Sequence, residues 1–240
     1  MRLPDAIVTK IEPDGKINEA ERAFLSKQRM DEWIRTKWNA DAYKVTLDRA
    51  VELPLGSLIA STKRMGNGFL VQGCDFGFNR SRGILIKASD GKVIGNKITG
   101  SRMMAILVAP EYWWLESGSS NNVEIRGNVI SDCLDVGIEV VAHTGTGKLA
   151  PSGAHRNIVI SGNKISNSPL PNIVVTSTSD LKIEGNALAP SATKKLSGHA
   201  LYMLSLKAET LEPVMTINCA APTVRGNEVK LRESRKEIRP

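Results

Sequence analysis

Gly-Asn ends five short apolar–polar alternations in this chain, and that repeat limits the fold more than any local propensity does. The copies are Val93-Ile94-Gly95-Asn96-Lys97-Ile98, Val123–Ile130, Ile158–Ile165, Leu181–Leu188 and Val224-Arg225-Gly226-Asn227-Glu228-Val229. A sixth, Leu70–Phe76, carries Cys74 in the Asn position. Period-2 alternation makes each copy a half-buried strand. Gly-Asn between strands marks a corner, because both residues tolerate positive φ. Strand, corner and strand form a unit that stacks on its own copies. The predicted fold is all-β, a right-handed parallel β-helix over about residues 51–230, its hand set by the handedness of parallel crossovers.

A second short strand follows each corner: Gly83–Lys87, Ala105–Ala109, Gly137–Val141, Asn172–Thr176 and, more loosely, Ala200–Leu204. Aligned, they put Ile84, Ile106, Ile138, Ile173 and Leu201 in one row, and Ile86, Val108, Val140, Val175 and Met203 in another. Both rows fall on one face and are predicted to stack inside the coil. Leu85, Leu107, Glu139, Val174 and Tyr202 then form an outward row, expected to be the exposed one. Corner-to-corner intervals are 22 and 23 residues for the short coils and 32, 35 and 41 for the long ones. The 32- and 35-residue intervals grow just after the second strand, at 110–120 and 142–153. Insertions at one point of successive coils gather on one side of a solenoid, often its binding side.

Residues 1–50 do not follow the repeat and form an N-terminal extension with one helix, serving as a cap or side lobe. Asn18-Glu19-Ala20-Glu21 reads as a capped helix start. A helix over roughly 19–38 would align Met30, Ile34 and Trp38. Pro54 and Gly56 separate this extension from the first coil. Residues 231–240 form a basic tail. The net charge of +7 is spread along the chain with few aromatics, which argues against a nucleic-acid partner. No apolar run reaches transmembrane length, and residues 1–6 hold no signal-peptide core. Cys74, Cys133 and Cys219 suggest no disulfide framework, and Cys74 is expected to be a small buried residue. Metal and cofactor sites are not expected, since the histidines lack ligand spacing.

The 110–118 insertion, Pro110-Glu111-Tyr112-Trp113-Trp114-Leu115-Glu116-Ser117-Gly118, holds two of the four tryptophans beside two carboxylates. Aromatic faces stack on the C–H faces of sugar rings, and carboxylates accept hydrogen bonds from hydroxyls. The plainer reading is that the tryptophans pack the loop onto the solenoid. Arg82, Lys87, Glu111, Glu139, His143, His199 and Tyr202 are the other polar residues of this side. Glu111 and Glu139 lie on adjacent coils, within roughly one to two strand spacings of about 4.7–4.9 Å. Such a pair suits inverting glycoside hydrolysis, one carboxyl as acid and the other as base. Singly, a Glu here is more often a solvated surface residue. Gly145-Thr146-Gly147-Lys148 lacks the spacing and the strand–helix setting of a phosphate loop and reads as a turn.

Asn79-Arg80-Ser81-Arg82-Gly83-Ile84-Leu85, then Trp114-Leu115-Glu116-Ser117-Gly118, then the Asn122–Asn128 corner resemble glycoside hydrolase family 110. That family comprises right-handed β-helix exo-α-1,3-galactosidases related to blood-group-B-cleaving enzymes. The resemblance covers about residues 66–133 and implies substrate-facing or supporting roles for Arg80, Arg82, Trp114 and Glu116, beside Trp113, a candidate sugar contact from the aromatic cluster itself. It also implies an oligosaccharide or polysaccharide partner and an extracellular or periplasmic setting. Two departures matter. Ala109-Pro110 stands where the family carries an Asp, and the family's adjacent Asp pair has no counterpart before Asn79. The expectation is therefore the C-terminal part of a larger glycosidase. A polysaccharide lyase and a non-catalytic glycan-binding or structural β-helix remain as alternatives.

Overall fold

A computed structural model describes residues 5–27, 41–53, 57, 59–114, 116–144 and 147–230, without the side chain of Trp113. The chain coils into three parallel sheets. The first contains Leu70–Gln72, Gly91–Ile94, Asn121–Arg126, His155–Ser161, Thr178–Glu184 and Thr223–Arg225. The second, past the Gly-Asn corner, contains Asp75–Gly77, Lys97–Thr99, Val129–Ser131, Lys164–Ser166, Ala187–Ala189 and Glu228–Val229. The third contains Ile84–Ile86, Ile106–Val108, Ile138–Val140, Ile173–Thr176 and Val214–Ile217.

The asparagines fix the register. Asn128 donates through Nδ2 to Asn163 Oδ1 (2.9 Å) and to the Val93 carbonyl (3.0 Å). Its Oδ1 accepts from both the backbone N–H and the side chain of Asn96. Asn96, Asn163 and Asn186 repeat this pattern, and Asn227 closes it. Every polar atom of these buried amides is used, as burial requires. The preceding glycine, such as Gly127 (φ 63°) or Gly162 (φ 61°), takes the left-handed conformation while the Asn supplies the side chain. Cys74 accepts no such role. It offers only its backbone N–H to Asn96 Oδ1 (3.0 Å), and it is exposed on the first coil rather than buried.

Two further corners are also left-handed. Asp90, Asn122, Asn157 and Asp180 stack where the chain enters the first sheet, and Phe78, Gly100, Asp132 and Asn167 where it leaves the second. Asn122 donates to Asp90 (2.6 Å), and Asn167 to Asp132 (2.6 Å). Short polar side chains tolerate this conformation and bond locally, which explains their place there.

Ile106, Ile138 and Ile173 pair in one row and Val108, Val140 and Val175 in the next, all inside the coil with Ile125, Ile160 and Ile165. The fifth row differs from expectation. Gly198–Met203 is a short helix, N-capped by Ser197, and the strand that pairs with Ile173–Thr176 is Val214–Ile217. The long interval before Asn227 thus holds an insertion, and Leu201 and Met203 belong to it rather than to the core rows. Leu196, Ala200 and Leu204 of this insertion cover Leu107 and Val174, so the outward face of the third sheet is buried there. Leu85, on the first coil of this sheet, is 38% exposed.

The N-terminal segment forms an antiparallel ribbon, Val8–Lys16 against Asp41–Leu47, which the sequence reading missed. Its connection includes the helix Glu19–Ser26, with the Asn18–Glu21 capping box present. Met30, Ile34, Trp38, Pro54, Gly56 and the tail at 231–240 lie outside the described residues. So do residues 145 and 146, between Thr144, whose N–H donates to the Lys148 carbonyl (2.7 Å), and Gly147.

Candidate functional site

The chain leaves the strand Ile106–Val108 and turns outward at Glu111, whose φ of 48° is uncommon for a non-glycine residue. This turn drives a carboxylate back against the preceding coil. Glu111 is 6% exposed, accepts from Arg82 Nη2, and pairs with Lys87 Nζ at 2.6 Å. Lys87 also pairs with Glu116, and Ser117 Oγ donates to the Lys87 carbonyl (2.5 Å). Two cations and two carboxylates therefore pin both ends of the loop to one strand. Gly118 sits so close to Ala60 that a Cβ there would lie 3.0 Å from the alanine side chain, which anchors the far end. Between these anchors Tyr112–Trp114 makes one 3₁₀ turn, leaving Trp114 38% exposed. The side chain of Trp113 lies outside the described residues. Arg80 is exposed two residues before Arg82.

Glu139 occupies a different environment. It stands in register between Leu107 and Val174, 4% exposed, with Oε2 lacking any hydrogen-bond partner. Burial pushes its carboxyl from the ordinary 4.5 up to about 8; Asp135 adds to the rise and Arg82 opposes it. Asp135 is raised as well, chiefly by burial, against a hydrogen bond from the Val136 N–H (2.8 Å) and the nearby His199. At neutral pH Glu139 thus holds its proton, the state required of a general acid.

Glu139 was expected on an exposed row and is buried, because the 190–213 insertion roofs it. Glu111 is engaged by two cations, and the carboxyl electrostatically closest in effect to Glu139 is Asp135. Periodicity gave no reason to single out Asp135, since it precedes the strand; its spacing of one short turn from Glu139 was the available signal. His143 is also buried, its Nε2 2.9 Å from the Met203 carbonyl, and Tyr202 is exposed on the insertion. Among the described residues no three His, Cys, Asp or Glu side chains converge on a metal position. No described helix is long and apolar enough to cross a membrane. A polar cavity of about 720 Å³, lined by Asp5, Lys63, Asn67, Asp90 and Asn121 among others, includes none of the cluster's residues.

Residues 61–190 match the family described as the right handed beta helix region. Over 126 residues, half of this chain, the sequence is 28% identical to alpha-1,3-galactosidase A of Shewanella woodyi. That alignment spans 20% of the galactosidase, so the chain corresponds to about a fifth of that relative's length. With its three parallel sheets and the matched residues taking in more than half its length, the chain belongs to the right-handed β-helix family.

Proposed function

We propose that this β-helix is carbohydrate-active and takes a terminal α-galactoside against loop 110–120, as part of a glycosidase-type hydrolase. The observation that carries the reading is the pinned loop: Arg82, Lys87, Glu111 and Glu116 hold it while Trp114, between Glu111 and Glu116 in the chain, stays partly exposed. An aromatic face beside charged donors and acceptors suits a sugar ring, with its apolar C–H faces and hydroxyl rim. The partial similarity to a galactosidase supports the same class. In this reading Arg82, Lys87 and Glu116 bond hydroxyls, Trp114 stacks, and Glu111 orients the two cations. Glu139 supplies a proton and Asp135 is its partner carboxylate. A non-catalytic glycan-binding role is the second reading, favoured by the full engagement of Glu111 and the roof over Glu139.

Turnover of p-nitrophenyl α-galactoside separates the two. Hydrolysis that Glu139→Gln reduces by about 10²–10⁴-fold supports the catalytic form. Sugar binding without turnover supports the second. An ultraviolet-absorbing unsaturated product from an acidic polysaccharide would replace both with a lyase.

A further inference from the structure

The outward row of the third sheet reads Leu85, Leu107, Glu139, Val174 and Met215 in register, aliphatic or thioether at every position but one. Both neighbours of Glu139 in that row pack under Leu196, Ala200 and Leu204. An aliphatic side chain would satisfy this place, whereas a carboxyl with an unpartnered oxygen costs stability there. Departures of this kind from local consistency mark functional positions. Polar contacts tie the roof at its margins: Lys194 Nζ donates to the Asn167 and Cys133 carbonyls (2.8 and 3.4 Å), the Ser191 N–H to the Ser168 carbonyl (2.8 Å), and His143 meets the Met203 carbonyl.

We propose that the 190–213 insertion is a proton-linked lid, closed over Glu139 in its neutral form and released when that carboxyl ionises. The charged groups around it come from several elements. Arg82 on the first coil of this sheet attracts the ionised form, and Asp135 on its own coil repels it. On the lid, the charge of His199 favours the ionised form of Asp135, and Lys194 lies 4.0 Å from Asp132. Closure takes up a proton over the interval between the ordinary carboxyl value of 4.5 and about 8. Rising pH therefore weakens closure across that interval and has no further effect above it. Once lifted, the lid would uncover the ionised Glu139 above an aliphatic floor, where a hydroxylated ring donating to that carboxylate fits, and a ring that buries the carboxyl again restores the proton that the catalytic form of the glycan reading requires. Only that last point rests on the glycan reading; the lid does not.

Hydrogen exchange of the unliganded protein, corrected for intrinsic rates, tests this directly. Amides 196–206 are expected to lose protection by up to about tenfold per pH unit from pH 5 to 8, while strands 106–108 and 138–140 hold theirs. In Glu139→Gln the lid should stay protected throughout. In Asp135→Asn the loss should level off at lower pH, because a like charge is gone. Lid protection that is flat with pH in the wild type, or an unchanged pH course in Glu139→Gln, would overturn the proposal. The wild-type course decides it even if a variant fails to fold. Sugar is absent throughout, so a failed lid leaves the glycan reading standing, and the reverse holds too.

Discussion

The Gly-Asn corner and the outer face of the third sheet are built by the same coils yet obey opposite rules. At the corner each buried amide spends every donor and acceptor on its neighbours, and nothing is left over for a ligand. On the outer face, Arg82 Nε and Glu139 Oε2 are buried without partners, a loop is pinned by charge, and an insertion roofs Glu139 and its aliphatic neighbours. Repetition satisfies polar groups because identical residues meet at identical spacing. Insertion breaks that symmetry and leaves buried ionisable atoms unspent, whereas the unspent atoms of the regular coils, such as Ser101 Oγ and Asn172 Oδ1, are neutral.

Disturbing the corner should therefore cost the most. Asn128→Leu strands the Asn96 N–H, the Asn96 amide and the Val93 carbonyl, and is expected to destabilise by roughly 4 kcal/mol or more in denaturant unfolding. Asn227→Leu, at the partly buried end of the ladder, should cost about half of that or less. Equal costs would show that the ladder is not a cooperative unit.

Next come the aliphatic positions. Ile138→Ala should cost about 2–5 kcal/mol, the usual penalty for emptying a buried site. Leu107→Ala should approach that range, since the lid buries it, whereas Leu85→Ala should cost under about 1 kcal/mol. A Leu107→Ala melting shift as small as that of Leu85→Ala would mean that the insertion does not pack there.

Two of the buried titratable groups, His155 and Glu139, should act in opposite directions. His155 accepts from the Ser120 N–H at Nδ1 and approaches the Val141 carbonyl through Nε2, and burial pushes it below 6.5. The unfolded chain therefore takes up its proton first, and stability falls as pH drops below about 6.5. For Glu139 the sign reverses: the folded chain holds the proton, and stability falls as pH rises from 4.5 toward 8. His155→Gln should flatten the acid limb of a stability–pH curve, and Glu139→Gln the alkaline limb by roughly 2–5 kcal/mol. Swapped limbs would contradict the assigned burial.

The regular part of this contrast was legible in the sequence and the irregular part was not. Asn96, Asn128, Asn163 and Asn186 announce the corner, and Ile106, Ile138 and Ile173 announce the inner rows, because each recurs with the coil. Ala200–Leu204 read as a fifth strand because apolar residues alternate loosely there. The Ser197 cap and the pairing of Val214–Ile217 elsewhere turn it into a helix over the outer face. That single reassignment also buried Leu107 and Glu139, which periodicity alone places outside. The insertion at 110–120 and its charged residues were visible as a length difference, but the engagement of Glu111 by Arg82 and Lys87 depends on one left-handed residue. The corners at Asp90 and Asn122, and the ribbon at Val8–Lys16, had no repeat long enough to reveal them.

The smallest structural disturbance should have the clearest functional effect. Trp114→Ala removes a half-exposed ring and is expected to shift the melting temperature little. Calorimetric titration with methyl α-galactoside then tests whether the outer face binds ligand while the corner serves as scaffold. The expected result is measurable binding to the wild type and at least about tenfold weaker binding to Trp114→Ala, the loss of roughly 1.4 kcal/mol of contact, at an unchanged melting temperature. Equal affinity in the two proteins, or no heat of binding in either, would contradict it.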